Sequence, residues 1–225
     1  MIDATDAPPA GQGGLSRRHL LGGGTMAGAA LLLAACGSDS EDSSTDTTAG
    51  DDDETTSTTK AQAAAGDAKV AELAAGLEVL AVGTYKAALD AATGGKLGAV
   101  PPAVATYVKT AMGHHQEALD AWNEVITAAG GTEVTTPNAT LKPTVDAAFA
   151  KVKDVTGAAE LALLLEQIAA QTYLAALPKI QDAEARKLAT SIQTVDQQHQ
   201  AILLFTLGKY PVPDVFQKTD KAVTA

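Results

Sequence analysis

With one cysteine in 225 residues, the chain can form neither an intramolecular disulfide nor a thiolate zinc cluster. Aromatics are almost as scarce: three Phe, one Trp and four Tyr, 4% of the chain. Strands favour β-branched and aromatic side chains, whereas the abundant Ala and Leu favour helices, so the composition argues against an all-β fold. Basic charge is also short. Lys and Arg number 16 against 27 Asp and Glu, a net of −11. A duplex nucleic-acid binder needs a basic footprint, and none is present, so no nucleic-acid partner is expected. The length suits one globular domain with additions.

The additions lie at the N-terminus. Arg17 and Arg18 precede Leu20 to Ala35, a Gly-rich, mildly apolar run without charge. Its 16 residues fall short of the roughly 20 that a spanning helix needs. A basic segment before a short apolar run reads as a secretory signal. The paired arginines resemble the twin-arginine export signal, which carries folded cargo. The run closes on Leu33-Ala34-Ala35-Cys36-Gly37, which resembles a bacterial lipobox. That resemblance implies that Cys36 is lipidated and becomes the mature N-terminus. Residues 1–36 are thus read as an address. It directs the protein out of the cell and anchors it to the outer face of the cytoplasmic membrane.

Residues 37–66 read as a tether. From Gly37 to Ala65 there are eight acids, one Lys and no large apolar side chain. Such a segment buries too little apolar surface to offset its chain entropy and is expected to be disordered. The remaining 160 residues carry 13 basic and 17 acidic groups, a net of −4, so most of the acidity belongs to the tether.

Apolar residues beyond the tether recur at helical spacing. The first helix is expected from Asp67, its N-cap, to Ala92, ended by Gly94-Gly95. A second starts at Pro101-Pro102 and stops before Gly130-Gly131. A loop through Pro137-Asn138 and a short helix from Pro143 form a long connection. A third helix covers about Val155 to Leu177, and a fourth Asp182 to Leu207. The sum is an all-α four-helix bundle with a crossover over residues 67–209, then an irregular tail, 210–225.

An internal repeat sharpens that reading. The thirteen residues Leu77 to Leu89 and those from Leu165 to Leu177 share eight identities at an offset of 88. Each segment carries Glu followed seven residues later by Tyr: Glu78 and Tyr85, Glu166 and Tyr173. His115-Gln116 and His199-Gln200 echo one another at an offset of 84, so the bundle reads as two repeated helical hairpins. Apolar residues surround Glu78, Glu166, His115 and His199 at i±3 and i±4, which places all four on core-facing stripes. Asp196 lies one turn before His199. His114, between Thr110 and Glu117, is expected to be the more exposed of its pair, and Trp122 reads as core. Buried carboxylates need a counter-charge, and no Lys or Arg shares these stripes. A captured cation is the simplest source of it. Oxygen and imidazole donors suit Fe, Mn or Zn.

The ordered Glu, His, Glu and Asp-x-x-His resemble the ferritin-like superfamily, and especially its secreted bacterial ferritin-like domains. In the di-iron members, two helices each give a Glu and two give Glu-x-x-His. The resemblance implies metal ligands at Glu78, His115, Glu166, Asp196 and His199. Asp196 replaces the second Glu, and Met112 stands where the first would be. Five of six ligand positions are thereby filled, which implies unequal sites or a single ion. Tyr85 and Tyr173 resemble the family's inner tyrosines, which hydrogen-bond ligands or pass electrons; core packing is the plainer reading of both. A homodimer is compatible with such a bundle. Two functions follow from the resemblance: an iron protein with ferroxidase or peroxide- and O₂-handling activity, or a non-enzymatic surface lipoprotein with a degenerate structural or Zn-binding site.

Overall fold

The computed structural model describes residues 53–224. Arg17, Arg18 and Cys36, and the tether as far as residue 52, lie outside the described residues. The described chain forms α1 (Asp53–Thr93), α2 (Pro102–Ala128), α3 (Lys142–Phe149), α4 (Val155–Ala176), a 3₁₀ turn (Leu177–Lys179) and α5 (Ala183–Thr206). No strand occurs among the described residues. α1 pairs with α2 and α4 with α5, and the two hairpins meet along α1–α4 and α2–α5.

Helix boundaries follow local chemistry. Pro102 opens α2, where a missing N–H costs nothing. Asp154 caps α4 by accepting from the Gly157 N–H at 2.8 Å, and Asp182 caps α5 by accepting from Ala185 at 2.8 Å. Gly130 (φ 81°) and Gly208 (φ 70°) close α2 and α5 in the left-handed conformation. The N–H groups of Gly131 and Lys209 then reach back to the carbonyls of Ile126 and Leu204.

The start of α1 differs from expectation. The helix begins at Asp53 rather than at Asp67, so its first turns fall in the segment read as a disordered tether. Extending a helix is far cheaper than nucleating one, and Ala61 with Ala63 to Ala65 has high helix propensity. Packing sets in later, and Val70 is the first buried side chain on α1 among the described residues. Asp67 is therefore no N-cap for α1. Its carboxylate instead accepts from the Gln181 and Asp182 N–H groups at 2.8 and 2.7 Å, tying α1 to the connection before α5.

Residues 129–154 carry the chain from one end of the bundle to the other. Midway, the Asn138 N–H donates to the Gly76 carbonyl at 2.8 Å, and its Oδ1 accepts from the Thr140 and Leu141 N–H groups. The tail, from Tyr210 on, lacks helix and runs back over α4 and α5. Gln217 bonds to Gln193, and the Lys221 and Val223 N–H groups donate to Gln171 and Thr172.

The apolar core is split. One cluster gathers Val70, Ala74, Leu119, Trp122, Ile126, Ile180 and their neighbours. The other, smaller, holds Ala159, Leu163 and Leu203. Between them, at mid-height, lies a polar layer.

Candidate metal centre

Each inner helix supplies this layer from the face that its sequence marks as apolar. Glu78 of α1, Glu166 of α4 and Asp196 of α5 are each 1% exposed; His115 of α2 is 3% and His199 of α5 4% exposed. Glu117 and Asp120, on the other side of α2, are exposed. Burial this complete demands partners.

Glu166 is the hub. Its Oε1 lies 3.1 Å from His115 Nε2 and accepts from the Tyr85 hydroxyl at 2.5 Å, and its Oε2 lies 3.2 Å from His199 Nδ1. Glu78 Oε2 lies 2.7 Å from His115 Nδ1, and Oε1 accepts from the Tyr173 hydroxyl at 2.5 Å. The tyrosines therefore cross over, each donating to the glutamate of the other hairpin. Trp122 Nε1–H donates to the Tyr173 oxygen at 2.8 Å, which completes a chain from Trp122 through Tyr173 to Glu78.

Both nitrogens of His115 face carboxylates. Burial alone would lower its pKa, but Glu166 and Glu78 push it well above the usual imidazole value. Burial pushes the Glu166 carboxyl up, and the two histidines more than reverse that, bringing it to about 2. Asp196 goes the other way. Burial, and then Glu166 and Glu78, raise it well above the ordinary carboxyl value. Burial and the adjacent carboxylates likewise raise the phenols of Tyr85 and Tyr173. Without a metal, these surroundings thus favour the protonated forms of His115 and Asp196.

Asp196 Oδ2 is buried and has no hydrogen-bond partner, an exception that calls for a ligand. His115, Glu166, Asp196 and His199 each present one donor atom, all within 4.8 Å of one another. Two imidazole nitrogens and two carboxylate oxygens at that spacing fit a divalent transition metal. Glu78 is not in this group of four and meets it through its hydrogen bond to His115. A cavity of about 20 Å³ beside Glu78, His115 and Glu166 is large enough for one water-sized occupant. An open groove of about 240 Å³ between α2 and α5, lined by His114, Val195 and Asp196, leads in from solvent.

The sequence places Glu78, His115, Glu166, Asp196, His199, Tyr85 and Tyr173 in one centre, and the structure brings all seven together. His114 was missed. It is exposed, yet its Nδ1 lies 3.0 Å from His199 Nε2, with the two rings stacked. Its position in the repeat is occupied by Gln198, so duplication gave no signal for it. Tyr107 was also missed; its hydroxyl lies 3.2 Å from that of Tyr85. Met112 is half-buried and occupies the repeat position of Asp196, so only one hairpin offers a carboxylate there.

Replacing Tyr173 with Phe tests the structural side of this network. The Trp122 N–H would lose its acceptor and Glu78 a donor. We expect a loss of about 1–3 kcal/mol in urea unfolding, with the helical circular dichroism retained.

Fold and centre together define a helical-bundle protein with a carboxylate–histidine cluster in its core. A family model described as a ferritin-like domain matches residues 66–209, well over half of the chain, and the chain belongs to that family. No curated protein matches it.

Proposed function

We propose that this ferritin-like protein binds a single iron ion through His115, Glu166, Asp196 and His199 and uses it in ferroxidase or peroxide- and O₂-handling chemistry. The observation that carries the reading is the orphaned Asp196 oxygen inside a four-donor cluster. The absence of a carboxylate at Met112 favours one ion over two. Bound iron would supply one-electron chemistry toward O₂ or peroxide. The chain's own residues do the rest. Glu166 and Asp196 neutralise the cation, the two histidines complete the donor set, and the bundle excludes bulk water. Tyr85 holds Glu166 in place, and Tyr173 does the same for Glu78, by donating their protons. His114 Nδ1, 3.0 Å from His199 Nε2, orients the His199 ring from its outer side. The twin-arginine motif and Cys36 support export and lipid anchorage outside the cytoplasmic membrane, with the iron loaded before export.

A second reading takes the same donors as a structural or Zn-binding site without turnover. Met112 favours it, since one of the six ligand positions that the family resemblance implies is unfilled. Titration of the full chain with Fe(II) and Zn(II) separates the two. The first reading expects one iron per chain and accelerated Fe(II) oxidation. At a thousandfold excess over the dissociation constant, iron should add about 4 kcal/mol of stability, reversed by chelator. Zinc retention without Fe(II) oxidation would select the second. Failure to hold either metal, with melting unchanged by metal or chelator, would remove both.

A further inference from the structure

A larger cavity lies at the opposite end of the bundle from Trp122, between the C-terminal half of α1, the N-terminal halves of α2 and α4, and the end of α5. Its volume is about 280 Å³, close to the lower bound for small-molecule sites. Ala and Leu side chains make most of the wall, and no charged residue lines it. Ile202 (47% exposed) and Phe205 (75% exposed) line it toward solvent, while Tyr85 (5% exposed) lines its buried side. A neutral, largely apolar occupant is what such a wall accepts; a charged one would lose its hydration without compensation.

The hydroxyls decide the rest. Four hydroxyl-bearing residues are among those that line the cavity: Thr84, Tyr85, Tyr107 and Thr206. Thr84 donates to the Leu80 carbonyl and Thr206 to that of Ile202, each at 2.8 Å. Tyr85 donates to Glu166, so in the Tyr85–Tyr107 pair the donor must be Tyr107. A hydroxyl has one proton and two lone pairs. With all four protons committed, the lining offers acceptors only.

We propose that this cavity binds a neutral apolar molecule carrying one hydroxyl, an alcohol or a phenol, which donates its proton to the Tyr107 oxygen. The bound hydroxyl then heads a line running through Tyr107 and Tyr85 to Glu166. Carbonyl compounds and ethers of the same shape are disfavoured, because two acceptors would face each other. The binding itself is independent of the metal; only the link to the centre through Glu166 rests on the function proposed above.

The test uses the full chain, metal-free and iron-loaded, with 2-naphthol as the probe. Its methyl ether, 2-methoxynaphthalene, lacks the proton. We expect one 2-naphthol per chain by fluorescence titration and at least tenfold weaker binding of the ether. Tyr107→Phe should bring 2-naphthol down to the level of the ether and leave the ether unchanged. Ala162→Trp, which fills the cavity, should abolish binding of both. Ala88→Phe fills it from α1 and stands in if Ala162→Trp fails to fold by circular dichroism. Equal affinity for naphthol and ether would overturn the donor argument. Binding that survives cavity filling, or no binding to the wild type, would overturn the site. Self-association that covers this end, with no naphthol bound, would do the same. Iron stoichiometry measured on the same samples separates these failures from failure of the metal reading.

Discussion

Asp196→Asn should weaken metal binding at least about a hundredfold while leaving the metal-free protein no less stable than the wild type. The two effects have different origins. An anionic oxygen is removed from a four-donor set, and loss of a ligand costs more than the 10- to 100-fold typical of residues that only orient ligands. Stability follows another rule, because the Asp196 pKa is raised in the folded protein. Its contribution is complete below the ordinary carboxyl value of 3.8 and is lost as pH rises through the raised value. Asn does not titrate. The variant's advantage should therefore open above about pH 4 and grow until Asp196 is ionised in the folded wild type. Chemical denaturation across pH 4 to 8 without metal, beside Fe(II) or Zn(II) titration, checks both halves. A variant that binds metal normally would exclude Asp196 as a ligand. A variant that is destabilised throughout would mean that its carboxylate supports the fold.

Glu166→Ala should do the reverse and damage both properties. Glu166 accepts from Tyr85 and faces His115 and His199, so its loss leaves three buried polar groups short of a partner. Removing one member of a buried charge pair costs about 3–5 kcal/mol, because the other charge remains buried. In a domain of this size that lowers the melting temperature by roughly 10 °C or more. Metal binding should vanish with it. The Glu166 carboxyl is held at about 2, below its ordinary 4.5. Its stabilisation is present above 4.5 and lost as pH falls toward 2. The wild type should therefore show an acid transition in that interval which is shallower in Glu166→Ala. Glu166→Gln keeps an acceptor for Tyr85 and should be intermediate. Equal loss in the Gln and Ala variants would show that charge matters more than the hydrogen bonds.

The contrast between these residues explains what could be read from the chain alone. Helix positions were legible because they depend on neighbours: the proline that opens α2, Asp182 at the start of α5, and the glycines that close α2 and α5. Burial of Glu78 and Glu166 was legible because the repeat set each into an apolar stripe twice over. The true start of α1 was not, since continuing a helix through an alanine-rich stretch outweighs composition that otherwise favours disorder. Asp67 reads as a cap by type, and only the folded chain reveals that it holds the connection before α5 instead. The crossed Tyr85–Glu166 and Tyr173–Glu78 pairs are invisible to spacing, because both residues of each spaced pair lie on one helix while their partners lie on another. His114 carries no periodic mark at all. The largely apolar cavity draws on α1, α2, α4 and α5 together and has no signature on any one of them.

The crossed tyrosines also bear on whether one half of the bundle could stand alone. One hairpin alone would hold a phenol without its acceptor and a carboxylate without its donor. Each hairpin is completed by the other, so separating the two would leave both phenols and both carboxylates without these partners. Within this chain the two halves are coupled but unequal, since the position held by Asp196 in one hairpin is held by Met112 in the other.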